Sequence, residues 1–136
     1  MENSRIHGSC LCEAVQFSLQ LPSKWCAHCH CTKCRKAHGA GYVTWVGFDE
    51  DHFRLDEGQA QLHWYDSSKG AQRGFCTTCG SSLFFRSSRW PGEIHVALGC
   101  LDEPIDRRPE AHVFHDTHVD WMSLDDALAV VNPNID

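Results

Sequence analysis

The chain has 136 residues, a formal net charge of -6 and 42% hydrophobic residues. This length suits one domain with a buried core, and the composition is that of a soluble globular protein rather than a disordered one. The negative charge argues against a dedicated DNA- or RNA-binding protein, because phosphate binding needs a clustered positive surface. No run of about 18 apolar residues occurs, so no transmembrane helix is expected. We therefore expect a single domain over residues 1–136, with no nucleic acid and no membrane as a partner.

Alternation of apolar and polar residues predicts mainly β structure. The segment 15–21 alternates strictly, and the segment 42–48 is a denser strand candidate that is rich in aromatic and β-branched residues. Further strands are predicted, in chain order, at residues 62–65, 83–86, 94–98 and 112–115. Segments rich in Asp, Gly and Pro separate them and are typical of turns. The pattern as a whole predicts short antiparallel strands.

Two short helices complete the predicted elements. The segment 32–38 has room for one or two helical turns. The segment 123–129 begins at Ser123, which can cap a helix, and Asp126 follows three residues later as a variant of the capping box. The Asn132-Pro133 pair is expected to end this second helix.

Nine cysteines and ten histidines are the most unusual feature of the composition. The N-terminal sequence MENSRIHG has no apolar segment of the secretory kind, so a cytoplasmic location is expected. Thiols stay reduced in that compartment. Grouped cysteines there indicate metal binding or catalysis rather than disulfide bonds.

The first cysteine group joins two distant turns. Cys10 and Cys12 precede the predicted strand at 15–21, and Cys76 and Cys79 precede the one at 83–86. Together they offer four thiolates, the set that a tetrahedral structural Zn²⁺ takes. A redox Cys-x-x-Cys is the alternative, but such a pair is expected between a strand and a helix.

The second group is Cys29, Cys31 and Cys34, which supplies three thiolates from one short stretch. Three protein ligands leave a fourth zinc position open, which is the arrangement of catalytic sites. A thiol bound there loses its proton and becomes a positioned nucleophile. Cys26 and His28 lie nearby in sequence, and Cys26 as a fourth ligand would instead make the site closed and structural.

The C-terminal part contains His112, His115, Asp116 and His118, which resemble a set of metal ligands. We expect at most one of these histidines to touch the pocket of the second cysteine group and the others to be exposed. Cys100 is expected to be a small buried residue rather than a ligand.

With both cysteine groups identified, the sequence resembles the glutathione-dependent formaldehyde-activating enzyme family. Seven cysteines stand at the family spacing, which makes the match specific. The matching segments are residues 8–15, 29–40 with Trp45, 73–83, and 97–104, followed by Pro109, His112 and Trp121.

This resemblance implies a β-tent fold of strands around two zinc sites. It assigns Cys10, Cys12, Cys76 and Cys79 to a structural zinc and Cys29, Cys31 and Cys34 to a catalytic one. The implied activity is that of a carbon–sulfur lyase that, in the reverse sense, joins glutathione and formaldehyde to S-hydroxymethylglutathione. The alternative is a zinc-stabilised binding or scaffold module without catalysis, because one branch of the family works in chromosome and microtubule organisation.

Overall fold

The computed structural model describes residues 5–132, which form eleven β-strands and a single α-helix. The strands are, in chain order, β1 (Arg5–Ser9), β2 (Gln16–Gln20), β3 (Trp25–Cys29), β4 (Val43–Asp49), β5 (Phe53–Glu57), β6 (Leu62–Ser68), β7 (Ala71–Cys76), β8 (Ser82–Ser87), β9 (Glu93–Ala97), β10 (Ala111–Val113) and β11 (Ala129–Val131). Helix α1 is Thr32–His38. Within residues 5–132, no helix is both long enough and apolar enough to span a membrane.

The strands form two sheets. The small sheet has the order β1-β2-β5, and the large sheet has the order β11-β10-β3-β4-β9-β8-β7-β6. All pairings are antiparallel except those of β10, which runs parallel to both β3 and β11. The prediction of a mainly β, β-tent fold is confirmed.

The main core lies between the two sheets. Alternate residues of β2, such as Phe17 and Leu19, are fully buried against Val46 of β4 and Phe84 of β8. The rings of Phe17 and Phe84 meet edge to face with their centroids 4.8 Å apart. Aromatic pairs in this geometry contribute about 0.5–1.5 kcal/mol beyond the burial of their surface.

A second, smaller apolar cluster lies on the other face of the large sheet. It contains Cys29, Cys34, Val43, Trp45 and Ala97, all between 4% and 6% exposed. Successive side chains of a strand point to opposite faces of the sheet, so β3 and β4 contribute to both clusters.

Most of the predicted elements are present. Strands β2, β4, β6, β8, β9 and β10 lie where alternation predicts them, and α1 covers the predicted segment 32–38. Strands β1, β3, β5 and β7 were not predicted, because their apolar residues are interrupted by glycine, cysteine or charged residues.

The predicted helix at 123–129 is wrong. That segment is irregular and ends in β11, which pairs with β10. The carboxylate of Asp126, expected in a capping box, accepts hydrogen bonds from the His112 ring and from the Leu128 N–H. Tertiary contacts therefore override a weak local helix signal. Pro133, the expected end of this helix, lies outside the described residues.

Gly8 is a point of close approach, because β1 forms an isolated bridge from Gly8 to Leu101 in the segment that follows β9. A Cβ atom on Gly8 would lie 2.5 Å from the carbonyl oxygen of Cys100 and 2.5 Å from the Phe17 ring. We expect Gly8→Ala to lower the free energy of unfolding by about 1–3 kcal/mol, the usual cost of overpacking. Urea denaturation measures this loss.

Gly99→Ala is the matched control, since a Cβ on Gly99 meets nothing within 4 Å. It should leave the unfolding midpoint nearly unchanged. Equal loss of stability in the two variants would contradict the steric explanation.

Candidate active site

The structure brings Cys10, Cys12, Cys76 and Cys79 together. Their sulfur atoms all lie within 4.8 Å of one another, with 3.6 Å between Cys10 and Cys12 and 3.9 Å between Cys12 and Cys76. Cys10 and Cys76 are buried, whereas Cys12 is exposed. Four sulfurs at this separation fit the tetrahedral coordination that thiolates give to a metal ion.

Two tight turns create this arrangement. The turn after β1 places Glu13 at a φ of 67°, and the turn after β7 places Gly80 at a φ of 81°. Because Cys76 and Cys79 lie between two strands rather than between a strand and a helix, the redox alternative has no support from their position. Hydrogen bonds from the Ser81 hydroxyl and from backbone N–H groups lower the pKa of Cys79 to about 5. This favours the thiolate, which is the form that binds metals.

Cys29, Cys31 and Cys34 form the second cluster, also with all sulfurs within 4.8 Å. Cys29 ends β3, and Cys31 is the N-cap of α1, where its sulfur accepts a hydrogen bond from the Cys34 N–H at 3.3 Å. The strand-to-helix turn thus gathers three residues that are only five positions apart. The two cysteine clusters could therefore each hold a metal ion.

The thiols of the triad differ in how readily they lose a proton. Hydrogen bonds from the thiols of Cys29 and Cys34, together with the charge of Arg73, lower the pKa of Cys31. The same hydrogen bond to Cys31 is the main reason why the pKa of Cys29 is raised, and burial adds to it. One negative charge in the triad is therefore placed first on Cys31, which is also the least buried cysteine of the three.

Three side chains that spacing alone did not indicate surround the triad. Trp45 donates its indole N–H to the Cys34 sulfur at 3.4 Å, and the Nη2 of Arg73 donates to the same sulfur at 3.6 Å. The Nη1 of Arg73 is buried and has no hydrogen-bond partner among residues 5–132. The ring of His38 packs edge to face on Trp45 with a centroid distance of 5.3 Å. The only sequence signal for Arg73 and His38 was that both lie within the segments matching the family pattern.

Burial and the neighbouring Arg73 charge lower the pKa of His38 to about 4. The imidazole is consequently neutral at pH 7 and can accept a proton. His38 follows Cys34 by four residues, so the two side chains lie on the same face of α1.

Cys26 lies away from the triad. It is fully buried in the core between the sheets, whereas Cys29 belongs to the cluster on the other face. Burial raises the pKa of the Cys26 thiol to about 11, so the thiol stays protonated. Among residues 5–132, the sulfur of Cys26 does not belong to either group of ligand atoms that could hold a metal.

The C-terminal histidines are placed differently from the expectation. His112 was expected to be exposed or to touch the pocket, but it is 1% exposed and bonds to the ring of His30. The prediction is wrong because β10 lies between β3 and β11, which covers His112 on both sides. His118 is exposed as expected, and His115 is partly exposed.

One cavity, of about 670 Å³, does not coincide with the cysteine clusters. It lies near the turn between β6 and β7 and is lined mainly by polar residues, among them Asp66, Lys69, Arg86 and Glu93. The chemistry of the two thiol clusters, rather than cavity size, identifies the candidate site.

Known proteins resemble this chain along most of its length. The family model described as "Glutathione-dependent formaldehyde-activating enzyme" matches residues 5–117. A Halomonas elongata protein whose name assigns it to that family is 30% identical over 129 residues, which cover 88% of this chain and 81% of the relative. An uncharacterized lyase of Schizosaccharomyces pombe is 28% identical over 78 residues, or 57% of this chain and 55% of the lyase.

The fold also has a counterpart among solved structures. The crystal structure of a Rhodobacter sphaeroides protein superposes with a TM-score of 0.63 at 25% identity, covering 75% of this chain and 93% of the other. The match of the family model to residues 5–117 and the 30% identical relative together show that this chain belongs to the glutathione-dependent formaldehyde-activating enzyme family.

Proposed function

We propose that this protein is a zinc-dependent carbon–sulfur lyase that adds the thiol of glutathione to formaldehyde and catalyses the reverse cleavage. The observation that carries the proposal is the triad of Cys29, Cys31 and Cys34 beside the unpartnered guanidinium nitrogen of Arg73. The names of the family and of its Halomonas relative supply the two substrates.

In this proposal the two clusters hold different zinc ions. Cys10, Cys12, Cys76 and Cys79 supply a complete set of four ligands, which is typical of a structural site. The triad supplies three ligands, so a zinc ion held by them would have one position left for a substrate thiol and would favour its ionised form. A reducing compartment such as the cytoplasm would keep all seven sulfurs available as ligands.

Arg73 has the donor that the aldehyde requires. When the sulfur adds to the carbonyl carbon, the π pair of the C=O bond moves to the oxygen, which becomes negatively charged. The Nη1 of Arg73 can donate a hydrogen bond to that oxygen, while Nη2 stays on Cys34 and stacking on Phe85 fixes the guanidinium at 4.9 Å from the ring centroid. A fixed donor of this kind stabilises the charge at little cost of reorganisation.

His38 completes the proton balance. The reaction forms one C–S bond, removes one proton from sulfur and adds one proton to oxygen, so no external oxidant or reductant is needed. Since the imidazole of His38 is neutral at pH 7, it can take the thiol proton and return it to the alkoxide oxygen, which becomes the hydroxyl of the product. The exposed Lys33 and Lys36 on α1 add positive charge near the triad, which attracts the carboxylates of glutathione.

The first test replaces the proposed donor. We expect Arg73→Gln to lower kcat/KM for S-hydroxymethylglutathione formation by about 10²–10³-fold, the usual effect of removing one oxyanion donor. Exchange NMR of glutathione and formaldehyde at equilibrium measures the catalysed rate above the spontaneous one. The zinc content of the variant must equal that of the unmutated protein.

Arg89→Gln is the control for this test, because Arg89 is exposed and its side chain makes no hydrogen bond to any residue between 5 and 132. It should keep full activity. A similar rate for the Arg73 variant and the unmutated protein would refute the role of Arg73.

The second test separates the two clusters. We expect Cys76→Ser to unfold the protein, because zinc binding to a structural site contributes on the order of 10 kcal/mol, comparable with the whole stability of a domain. Cys31→Ser should stay folded and lose both the glutathione adduct and activity. Thermal unfolding and native mass spectrometry with glutathione read out the two properties.

Cys100→Ser is the control, since this partly exposed cysteine lies outside both clusters. Unfolding of the Cys31 variant as severe as that of the Cys76 variant would make the triad a structural site. The protein would then be a zinc-stabilised scaffold rather than an enzyme.

A further inference from the structure

Five histidines gather on the face of the large sheet opposite to the cysteine triad. His28 and His30 follow the alternation of β3 away from Cys29, and His112 of β10 lies beside them, with ring centroids 4.9 and 5.0 Å away. The set, here called the histidine cluster, is His28, His30, His112, His115 and His118. The proposed reaction uses none of these residues.

A hydrogen-bonded chain assigns the tautomer of His30. The carboxylate of Asp126 can only accept, so the Nε2 of His112 donates to it at 2.9 Å. For neutral rings, the Nδ1 of His112 must then accept from the Nε2 of His30, also at 2.9 Å. This assignment leaves the Nδ1 of His30 with an unprotonated lone pair.

That lone pair has no partner. His30 is 2% exposed, and its Nδ1 is buried without a hydrogen bond among residues 5–132. A buried nitrogen that lacks a partner is rare and calls for an explanation. Histidine ligands of metals usually have this arrangement, in which the other ring nitrogen donates to a fixed acceptor and thereby orients the ring.

A second ring nitrogen is also an acceptor in this structure. His118 donates its Nδ1–H to the carbonyl oxygen of His115 at 2.6 Å, which leaves its Nε2 as an acceptor. The ring of His118 stacks on that of His115 with a centroid distance of 3.9 Å. His115 in turn lies 5.2 Å from His30. Two of these three neighbouring rings, those of His30 and His118, thus carry an acceptor nitrogen.

We propose that His30, His115 and His118 form a third metal site that takes a divalent first-row transition ion such as Zn²⁺. Imidazole nitrogen is a ligand that suits Zn²⁺, and the Asp126–His112 pair would orient His30 as a metal-bound ring is oriented. Among residues 5–132, no three of these ring nitrogens lie within 4.8 Å of one another. Binding therefore requires the side chains of His115 and His118, which are partly exposed and exposed, to rotate toward His30. This rotation gives up the hydrogen bond from His118 to the His115 carbonyl.

Zinc titration with counting of bound ions tests the proposal. The unmutated protein should retain one more Zn²⁺ per chain than His115→Ala/His118→Ala, as measured by native mass spectrometry after dialysis against a fixed zinc concentration. The test uses a difference, so it does not depend on how many ions the cysteine clusters hold. Equal zinc contents in the two proteins would overturn the proposal.

His63→Ala is the matched control, because His63 is an exposed histidine on β6, far from the cluster in the sheet order. It should retain the zinc content of the unmutated protein. Loss of one ion in this control as well would show that histidine removal acts nonspecifically, and it would overturn the assignment to the cluster.

A second measurement needs no variant. In ¹⁵N NMR spectra of the histidine rings, Zn²⁺ added beyond the amount that saturates the cysteine clusters should shift the Nδ1 of His30 and the Nε2 of His118. The ring signals of His63 should not move. Unchanged signals of His30 and His118 would overturn the proposal even where the zinc counts differ.

Discussion

The alternation of side chains along β3 divides the chemistry of this protein between two faces of one sheet. Cys29 points to the face that carries α1, whereas Cys26 and His28 point to the other. A shift of one residue in the pairing of β3 with β4 would exchange these faces and separate Cys29 from Cys31 and Cys34. The buried residues of β4, which pack on both faces, oppose such a shift. The register of this one strand pair therefore determines where thiols and where imidazoles collect.

The two cysteine clusters differ in how they depend on the fold. The triad is local, since a strand end and one helical turn are enough to bring its sulfurs together. The four-cysteine cluster joins a turn of the small sheet to a turn of the large sheet, so it forms only when both sheets are in place. A metal ion in the four-cysteine cluster would link the two sheets and so stabilise their packing. A metal ion in the triad would link only residues that are already close in sequence, so it would stabilise the fold less.

Sequence reasoning was most successful where residues interact locally. The helix at 32–38 and the members of both cysteine clusters follow from spacing and turn chemistry. The position of the Arg73 side chain could not be predicted, because the register of β7 with β8 decides that its guanidinium stacks on Phe85 and reaches Cys34. Asp126 was assigned to a helix cap because no local pattern reveals a buried histidine in a strand 14 residues earlier. The missing information in both cases is long-range strand pairing.

The parallel pairing of β10 with β3 has a consequence for the order of folding. It joins His112 to His28 only after the intervening chain has closed a long loop, and such contacts form late because loop closure costs entropy. The cysteine triad can assemble as soon as residues 25–38 have left the ribosome, but the imidazole chain must wait for Asp126. The sulfur atoms of the triad can therefore come together before the hydrogen-bonded histidines do.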